Sequence, residues 1–318
     1  MRTEYVHEPV MPREVLEGLA LKADGVYVDG TLGEGGHSAL ILAREPRCRV
    51  IACEQDAAIA GAARTRLAQY GDRIHIHVVN FEALTDVLRE EGVRHLDGIL
   101  LDLGISSFHY EASGRGFSFQ RDEALDMRLG AAARISAADV LRTYSEDELV
   151  RVFRDYGEER YAARIARAVV RQRADRALQG TTELAALIAK NVPAQYAHGR
   201  IHPATKVFQA LRIEVNRELE VLQNFLDGVL DLLAVGARLC VISFHSLEDR
   251  IVKHFMRGNE PHCVCPRGAL RCTCGCPGKL RAIPRRAITA DADEVRRNPR
   301  SRSARLRVAE RIEVCARA

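Results

Sequence analysis

With 318 residues, 47% of them hydrophobic, and a formal net charge of +4, the chain is long enough for one large domain or two modest ones, each with a core. No apolar run approaches the ~18 residues of a membrane span and no signal-like block opens the chain, so membrane-embedded and secreted classes are excluded and a cytoplasmic protein is expected. Nine cysteines, five of them between Cys263 and Cys276, exclude a distributed disulfide framework.

From Gly25 to Asp102 short β-branched runs alternate with helical segments. GVYVDG, RVIACE, IHIHVV and LDGILLD read as strands, with helices over His37 to Ala43, Asp56 to Gln69 and Glu82 to Glu91. Strands apolar on both faces, joined through helices, predict a parallel sheet covered on both sides. The following GISSFHYEASGRGFSFQRDEALDMR has no clear period and reads as a long functional loop. From Ser136 to Asn191 the pattern is helical. Ser145 with Glu148 makes a capping box, Leu149, Val152, Phe153 and Tyr156 share a face, and Gly157 stops that helix. Helices over Glu159 to Arg171 and Thr182 to Asn191 follow.

The sheet pattern then resumes. Pro203 opens a long helix running toward Leu233, Gly236 ends it, and RLCVISF is a buried strand. Ser246 with Asp249 caps the helix LEDRIVKHFMR, and RLRVAERIEV supplies a last strand. This order predicts a sheet domain over residues 1–110 and 203–318, interrupted by residues 111–202 as a loop plus an inserted all-helical subdomain. Cys263-Val-Cys265 and Cys272-Thr-Cys274-Gly-Cys276 resemble two ligand pairs for zinc, but the spacing is C-x-C where C-x2-C is usual. A zinc site and a cysteine-rich surface insert both remain open. From Lys279 on, twelve Lys or Arg stand against five Asp or Glu, a polyanion-binding tail or a solvated surface.

The stretch VDGTLGEGGHS, Val28 to Ser38, is a glycine turn between first strand and first helix, where backbone N–H groups come close to a ligand. Gly33, Gly35 and Gly36 do not fit G-x-G-x-x-G, and no Walker lysine follows. Asp29 and Glu34 would repel a pyrophosphate and suit a cation. Glu54, about twenty residues on at the end of the second strand, is placed to accept ribose hydroxyls. S-adenosylmethionine has a ribose, an ammonium and a sulfonium and no phosphate. These features disfavour a nicotinamide dehydrogenase.

HEPVMPREVLE, VDGTLGEGGHS, DGILLDLGISS, RGFSFQRDEALDMR, YGEERYAARIARAVV, HPATKVFQALRIEVN, VISFHSLEDRIVKHFM and NPRSRSARLRVAER, in this order from His7 to Arg311, resemble the family of ribosomal RNA small subunit methyltransferase H. The resemblance implies an α/β, Rossmann-like class I methyltransferase with a mostly parallel sheet. It implies transfer of a methyl from S-adenosylmethionine to the exocyclic N4 of a cytosine in the decoding region of 16S rRNA. The partner would be the small ribosomal subunit, not DNA or a membrane, and the enzyme a monomer or homodimer. The implied cofactor residues are Gly35, Gly36, His37, Glu54, Phe81 and Asp102, joined by Gly33 of the same turn. Glu54 stands where the family usually has Asp, and His109 where Gln is usual.

The amine lone pair of cytosine is delocalised into the ring, so its methylation calls for acceptors on the N–H groups and an aimed nitrogen. No Pro-Cys pair of the carbon-5 enzymes is present. Asp102 is the candidate amine acceptor or cofactor contact, with Ser106 as a neighbour that either touches substrate or caps the loop. His245 either orients the base, accepts a proton, or holds a backbone carbonyl. An unstacked base calls for aromatic and cationic groups, for which Phe117, Phe119, Arg115 and Arg121 are candidates. Arg285, Arg286, Arg296, Arg297, Arg300, Arg302 and Arg305 are candidate phosphate contacts. The non-enzymatic alternative is an RNA-binding or ribosome-assembly protein.

Overall fold

The computed structural model describes residues 8–199, 201–263, 265, 274 and 278–313. The chain divides into two compact units, Met1–Ile105 with Val221–Ala318, and Ser106–Glu220. The first holds one sheet of seven strands: β1 (Val26–Asp29), β2 (Arg49–Cys53), β3 (Ile74–His77), β4 (Leu96–Asp102), β5 (Leu233–Ser243), β6 (Leu280–Ala282) and β7 (Arg305–Arg311). Their order is β3-β2-β1-β4-β5-β7-β6. β1 to β5 are parallel, β7 runs antiparallel to β5, and β6 antiparallel to β7.

Successive strand residues point to opposite faces, and both faces here are apolar. Tyr27, Val50, Ala52, Leu100, Cys240 and Ile242 pack on one side with Val15, Leu19, Ile41 and Leu67 from the helices Pro12–Leu19, Gly36–Arg44 and Ala57–Leu67. Val28, Ile51, Ile99, Leu101, Leu239 and Val241 pack on the other with Leu84, Val87, Phe225, Val229 and Val252 from Leu84–Glu90, Glu218–Leu232 and Ser246–Gly258. Strand order reverses between β1 and β4. Ligands of such sheets gather outside the carboxyl ends of the strands at this reversal.

The second unit is helical: Ser107–Glu111, Ala137–Thr143, Glu146–Asp155, Ala162–Asp175, Thr181–Lys190, Ala194–Ala197 and Ala204–Asn216. Both Ser136 with Asp139 and Ser145 with Glu148 form capping boxes. Leu149, Val152 and Phe153 are fully buried, as their spacing predicts. No helix of the described residues is long and apolar enough to cross a membrane.

Five details differ from the sequence reading. The long helix from Pro203 is two helices, because Arg217 takes a left-handed conformation (φ +52°) after Asn216 and the chain restarts at Glu218. Asn216 fixes the break by accepting from Leu129 N–H and donating to Met127 O, both at 2.8 Å. The units accordingly divide at Glu220, whereas the sequence reading resumes the sheet domain at residue 203. Gly236 does not end a helix; it lies within β5 at φ +85°. The helix after β5 is capped by His245 with Glu248, because Asp249 is engaged by Arg307 of β7 at 2.7 Å. The short β6 carries no alternation to announce it.

Candidate functional site

β1 ends at Asp29, and the chain turns through Gly30–Gly35 into the helix Gly36–Arg44. The turn is hung from both neighbouring strands: Gly30 N–H donates to Leu100 O at 2.9 Å and Leu32 N–H to Cys53 O at 3.0 Å. Gly33 (φ +52°) and Gly35 (φ +80°) take the left-handed conformation that only glycine adopts without strain. A side chain at Gly35 would also meet Leu67 Cδ1 at 2.8 Å, whereas at Gly33 it would meet nothing within 4 Å. The backbone at Gly33 thus borders open space, as a ligand-facing turn requires. Gly36 faces Pro9, which a Cβ would approach to 3.3 Å.

Glu54, immediately after β2, accepts from Gly33 N–H through Oε2 and from Asp56 N–H through Oε1, both at 2.9 Å. Its carboxylate keeps some solvent contact, but the protein around it pushes its pKa up to about 7 against those two donors. Spare acceptor capacity remains on both oxygens. Asp29 is buried; the Ser38 hydroxyl donates to it at 2.7 Å and Thr31 N–H at 3.3 Å. Burial raises its pKa, opposed by nearby His37.

His37 is buried, with Nε2 3.5 Å from Asp102 Oδ2, a separation too poorly aligned to count as a hydrogen bond. Neither ring nitrogen has a hydrogen-bond partner among the described residues. Buried polar atoms of this kind are normally satisfied, so the ring is complete only with a ligand or water beside it. Asp102 closes β4: its N–H donates to the Thr31 hydroxyl at 2.6 Å and its Oδ1 accepts from Gly104 N–H at 3.2 Å. Phe81, in a single turn after β3 led by Asn80, stands edge-on to Phe225 with centroids 5.4 Å apart. It also flanks Gly30, where a Cβ would run into Leu101 and lie 3.2 Å from Phe81 Cβ.

The sheet edge therefore gathers Asp29, Gly33, Gly35, His37, Glu54, Phe81 and Asp102 in one unit. Ser106 and His109 belong to the helical unit. Ser106 caps Ser107–Glu111 by accepting from Phe108 N–H at 3.2 Å. His109 is buried with its ring 5.1 Å from Phe117. Phe117 is itself only 6% exposed, whereas Phe119 is half-buried and packs on Phe208 with ring centroids 5.1 Å apart. Arg115 donates to Arg128 O at 3.2 Å, and Arg121 to the carbonyls of Tyr110 and Glu111.

His245 begins the helix after β5. Its Nδ1 accepts from Glu248 N–H at 3.5 Å, and its Nε2 lies 3.0 Å from Glu248 Oε1. Glu248 in turn accepts from Phe244 N–H at 2.8 Å. The basic tail is partly neutralised from within: Arg285 lies 3.9 Å from Glu260, Arg297 3.7 Å from Glu8 and Arg305 3.7 Å from Asp249, while Arg296 pairs with Asp293. Cys263, Cys265 and Cys274 converge, and Cys272 and Cys276 lie outside the described residues.

Sequence reasoning passed over Gly30, Thr31, Ser38 and Gly104, which hold the site in shape. Ser38, one helical step after His37, and Thr31, two after Asp29, were visible as hydroxyls flanking an acid; only the fold shows what they bind. The collected chemistry suits a phosphate-free ligand: three carboxylates, an open glycine backbone, an aromatic edge and an unsatisfied imidazole. Ribose hydroxyls suit Glu54, and the negative charge of Asp29 and Asp102 suits an ammonium or sulfonium.

Known proteins agree with this reading. The chain is 47% identical over 309 residues to "Ribosomal RNA small subunit methyltransferase H" of Carboxydothermus hydrogenoformans, covering 97% of this chain and 99% of the relative. It is 47% identical over 312 residues to the protein of that name from Syntrophotalea carbinolica (98% and 99%) and 48% over 311 residues to that from Syntrophobacter fumaroxidans (98% of each). A sequence model of the MraW methylase family matches residues 4–312, and with it the turn, the strand-end acids and the helical unit. The chain belongs to the MraW methylase family.

Proposed function

We propose that the protein transfers a methyl group from S-adenosylmethionine to the exocyclic N4 of a cytosine in the decoding region of 16S rRNA, acting on the small ribosomal subunit in the cytoplasm. The observation that carries the cofactor half is Glu54, held by Gly33 and Asp56 N–H groups at the mouth of a turn that borders open space. The relatives' name supports the substrate half.

S-adenosylmethionine supplies an activated methyl on its sulfonium. The chain's own residues then have three tasks. Gly33, Gly35, Gly36, His37, Glu54 and Phe81 bind and orient the cofactor: Glu54 takes ribose hydroxyls, Phe81 packs along the adenosine side, and His37 gains a partner for its ring. Asp102, at the carboxyl end of the strand beside β1, accepts from the amine, which raises electron density on the nitrogen. Its orientation is set by Thr31 and Gly104. Ser106 caps the short helix after Asp102, and His109, where the resemblance leads to an amide, keeps one imidazole hydrogen bond as its candidate contribution. His245 fixes the helix start after β5 through Nδ1, and its Nε2, buried without a hydrogen-bond partner 3.0 Å from Glu248 Oε1, is left to orient the base or accept a proton. The helical unit serves RNA recognition.

Incubation of the protein with methyl-labelled S-adenosylmethionine and small-subunit particles from a strain lacking its own enzyme is expected to yield labelled N4-methylcytidine at one position. Label in another base or atom, or none, overturns the proposal. RNA affinity without transfer would instead favour an assembly protein.

A further inference from the structure

Between the helix Ser246–Gly258 and β6 the chain leaves the sheet in an excursion with a closed base. Lys279 and Leu280 N–H groups both donate to Asn259 O, at 2.8 and 2.9 Å. Gly278 lies so close to Glu260 and Pro261 that any side chain there would strike their backbone. On this excursion the Sγ atoms of Cys263, Cys265 and Cys274 all lie within 4.8 Å of one another. Those of Cys263 and Cys274 are 3.8 Å apart.

That separation, spanned by a Cys274 Sγ–H to Cys263 Sγ hydrogen bond, excludes a disulfide and matches the spacing of two thiolates on one metal. A disulfide brings two sulfurs to about 2.05 Å. Two thiolates sharing a zinc ion, each at about 2.3 Å and at the tetrahedral angle, lie about 3.8 Å apart. Core packing does not account for the cluster either. Cys48, Cys53 and Cys240 are buried among apolar side chains, whereas Cys263 is exposed and Cys265 and Cys274 are half-exposed. Soft sulfur donors select zinc or iron–sulfur clusters over magnesium or calcium.

We propose that Cys263, Cys265 and Cys274 bind one zinc ion that staples the excursion. Cys274 follows Cys263 by eleven positions in the chain, so the metal joins residues well separated in sequence beyond the hydrogen-bonded base at Asn259. Each thiol gives up its proton on binding, and three corners of the tetrahedron are filled. The fourth goes to solvent or to a donor outside the described residues. The site is structural and remote from the glycine turn in the chain. Its base borders a cavity of about 320 Å³ lined by Lys253, Arg257, Glu260 and Arg285 among others, so the staple sets the position of a largely cationic surface.

The full chain, prepared in zinc-containing reducing medium without chelator, is expected to carry about one zinc per chain by elemental mass spectrometry. Cys265→Ser and the double variant Cys263→Ser/Cys274→Ser should each lower this to below about a tenth. Both should keep the thermal shift given by S-adenosylhomocysteine, which shows that the sheet unit is folded. Cobalt(II) added to stripped wild-type protein should produce thiolate-to-cobalt charge-transfer absorption that the double variant lacks. The proposal is overturned by zinc content indifferent to these substitutions or by a wild-type protein free of zinc. Iron–sulfur absorption, or a disulfide joining two of the three cysteines in protein kept reduced, overturns it as well.

Discussion

Removing the Glu54 carboxylate takes an acceptor from two backbone N–H groups as well as from the ribose it is proposed to hold. Glu54→Ala should weaken S-adenosylhomocysteine binding roughly tenfold to a hundredfold, about 1.4–2.8 kcal/mol, by calorimetry. Unchanged affinity would sink the assignment. The acid also makes stability pH-dependent. Its folded pKa of about 7 lies above the ordinary 4.5, so the native state holds the extra proton between these values. The associated stability is fully present below about 4.5 and is lost as pH rises through about 7. Glu54→Gln has no such loss, so its melting temperature relative to wild type should climb across that window; a constant gap would refute the raised pKa. Ribose hydroxyls favour the ionised form, so cofactor affinity should rise with pH over the same range. Gly35→Ala imposes a left-handed alanine and a collision with Leu67, and should cost about 2 kcal/mol in denaturant unfolding.

At the scale of elements, Asp249 ties the helix Ser246–Gly258 to β7 through Arg307, by bonds of 2.7 and 3.2 Å. Both side chains are only about a tenth exposed, so Asp249→Ala strands a guanidinium and should cost about 3 kcal/mol, read as a lower denaturant midpoint at unchanged slope. Ser145→Ala, which removes an exposed cap from Glu146–Asp155, should cost about 1 kcal/mol by the same measurement. The contrast also explains what was legible in the sequence. Ser145 and Glu148 were readable because a capping box is local, and so were β1, β2 and β4, whose apolar runs reflect two buried faces. Asp249 was misread as a cap because its true partner lies 58 residues away. The break at Arg217 was invisible for the same reason: no glycine or proline marks it, and Asn216 holds it through contacts to residues 87 and 89 positions earlier. In the site, the glycines and strand-end acids were readable from spacing. The pairing of Ser38 with Asp29 and the unsatisfied ring of His37 needed the fold.

For the molecule as a whole, the arginine-rich tail will contribute less to RNA affinity than its charge suggests, since several guanidiniums already face carboxylates. Arg286→Ala and Arg302→Ala, at exposed positions, should each lower the slope of log affinity against log salt by about 1, while leaving cofactor affinity unchanged. Slopes equal to wild type would remove the tail from the RNA contact. The sheet order has a further consequence for synthesis. β7, residues 305–311, lies between β5 and β6 and pairs with both, so every other strand leaves the ribosome before the strand that seals them. Until it emerges, the nascent chain carries β5 as a naked edge of Leu239, Val241 and their neighbours, a template for pairing with other chains. Translation products stopped short of Arg305 are therefore expected to be recovered with chaperones or in aggregates rather than as partly active enzyme, which ties quality control of this protein to its final strand.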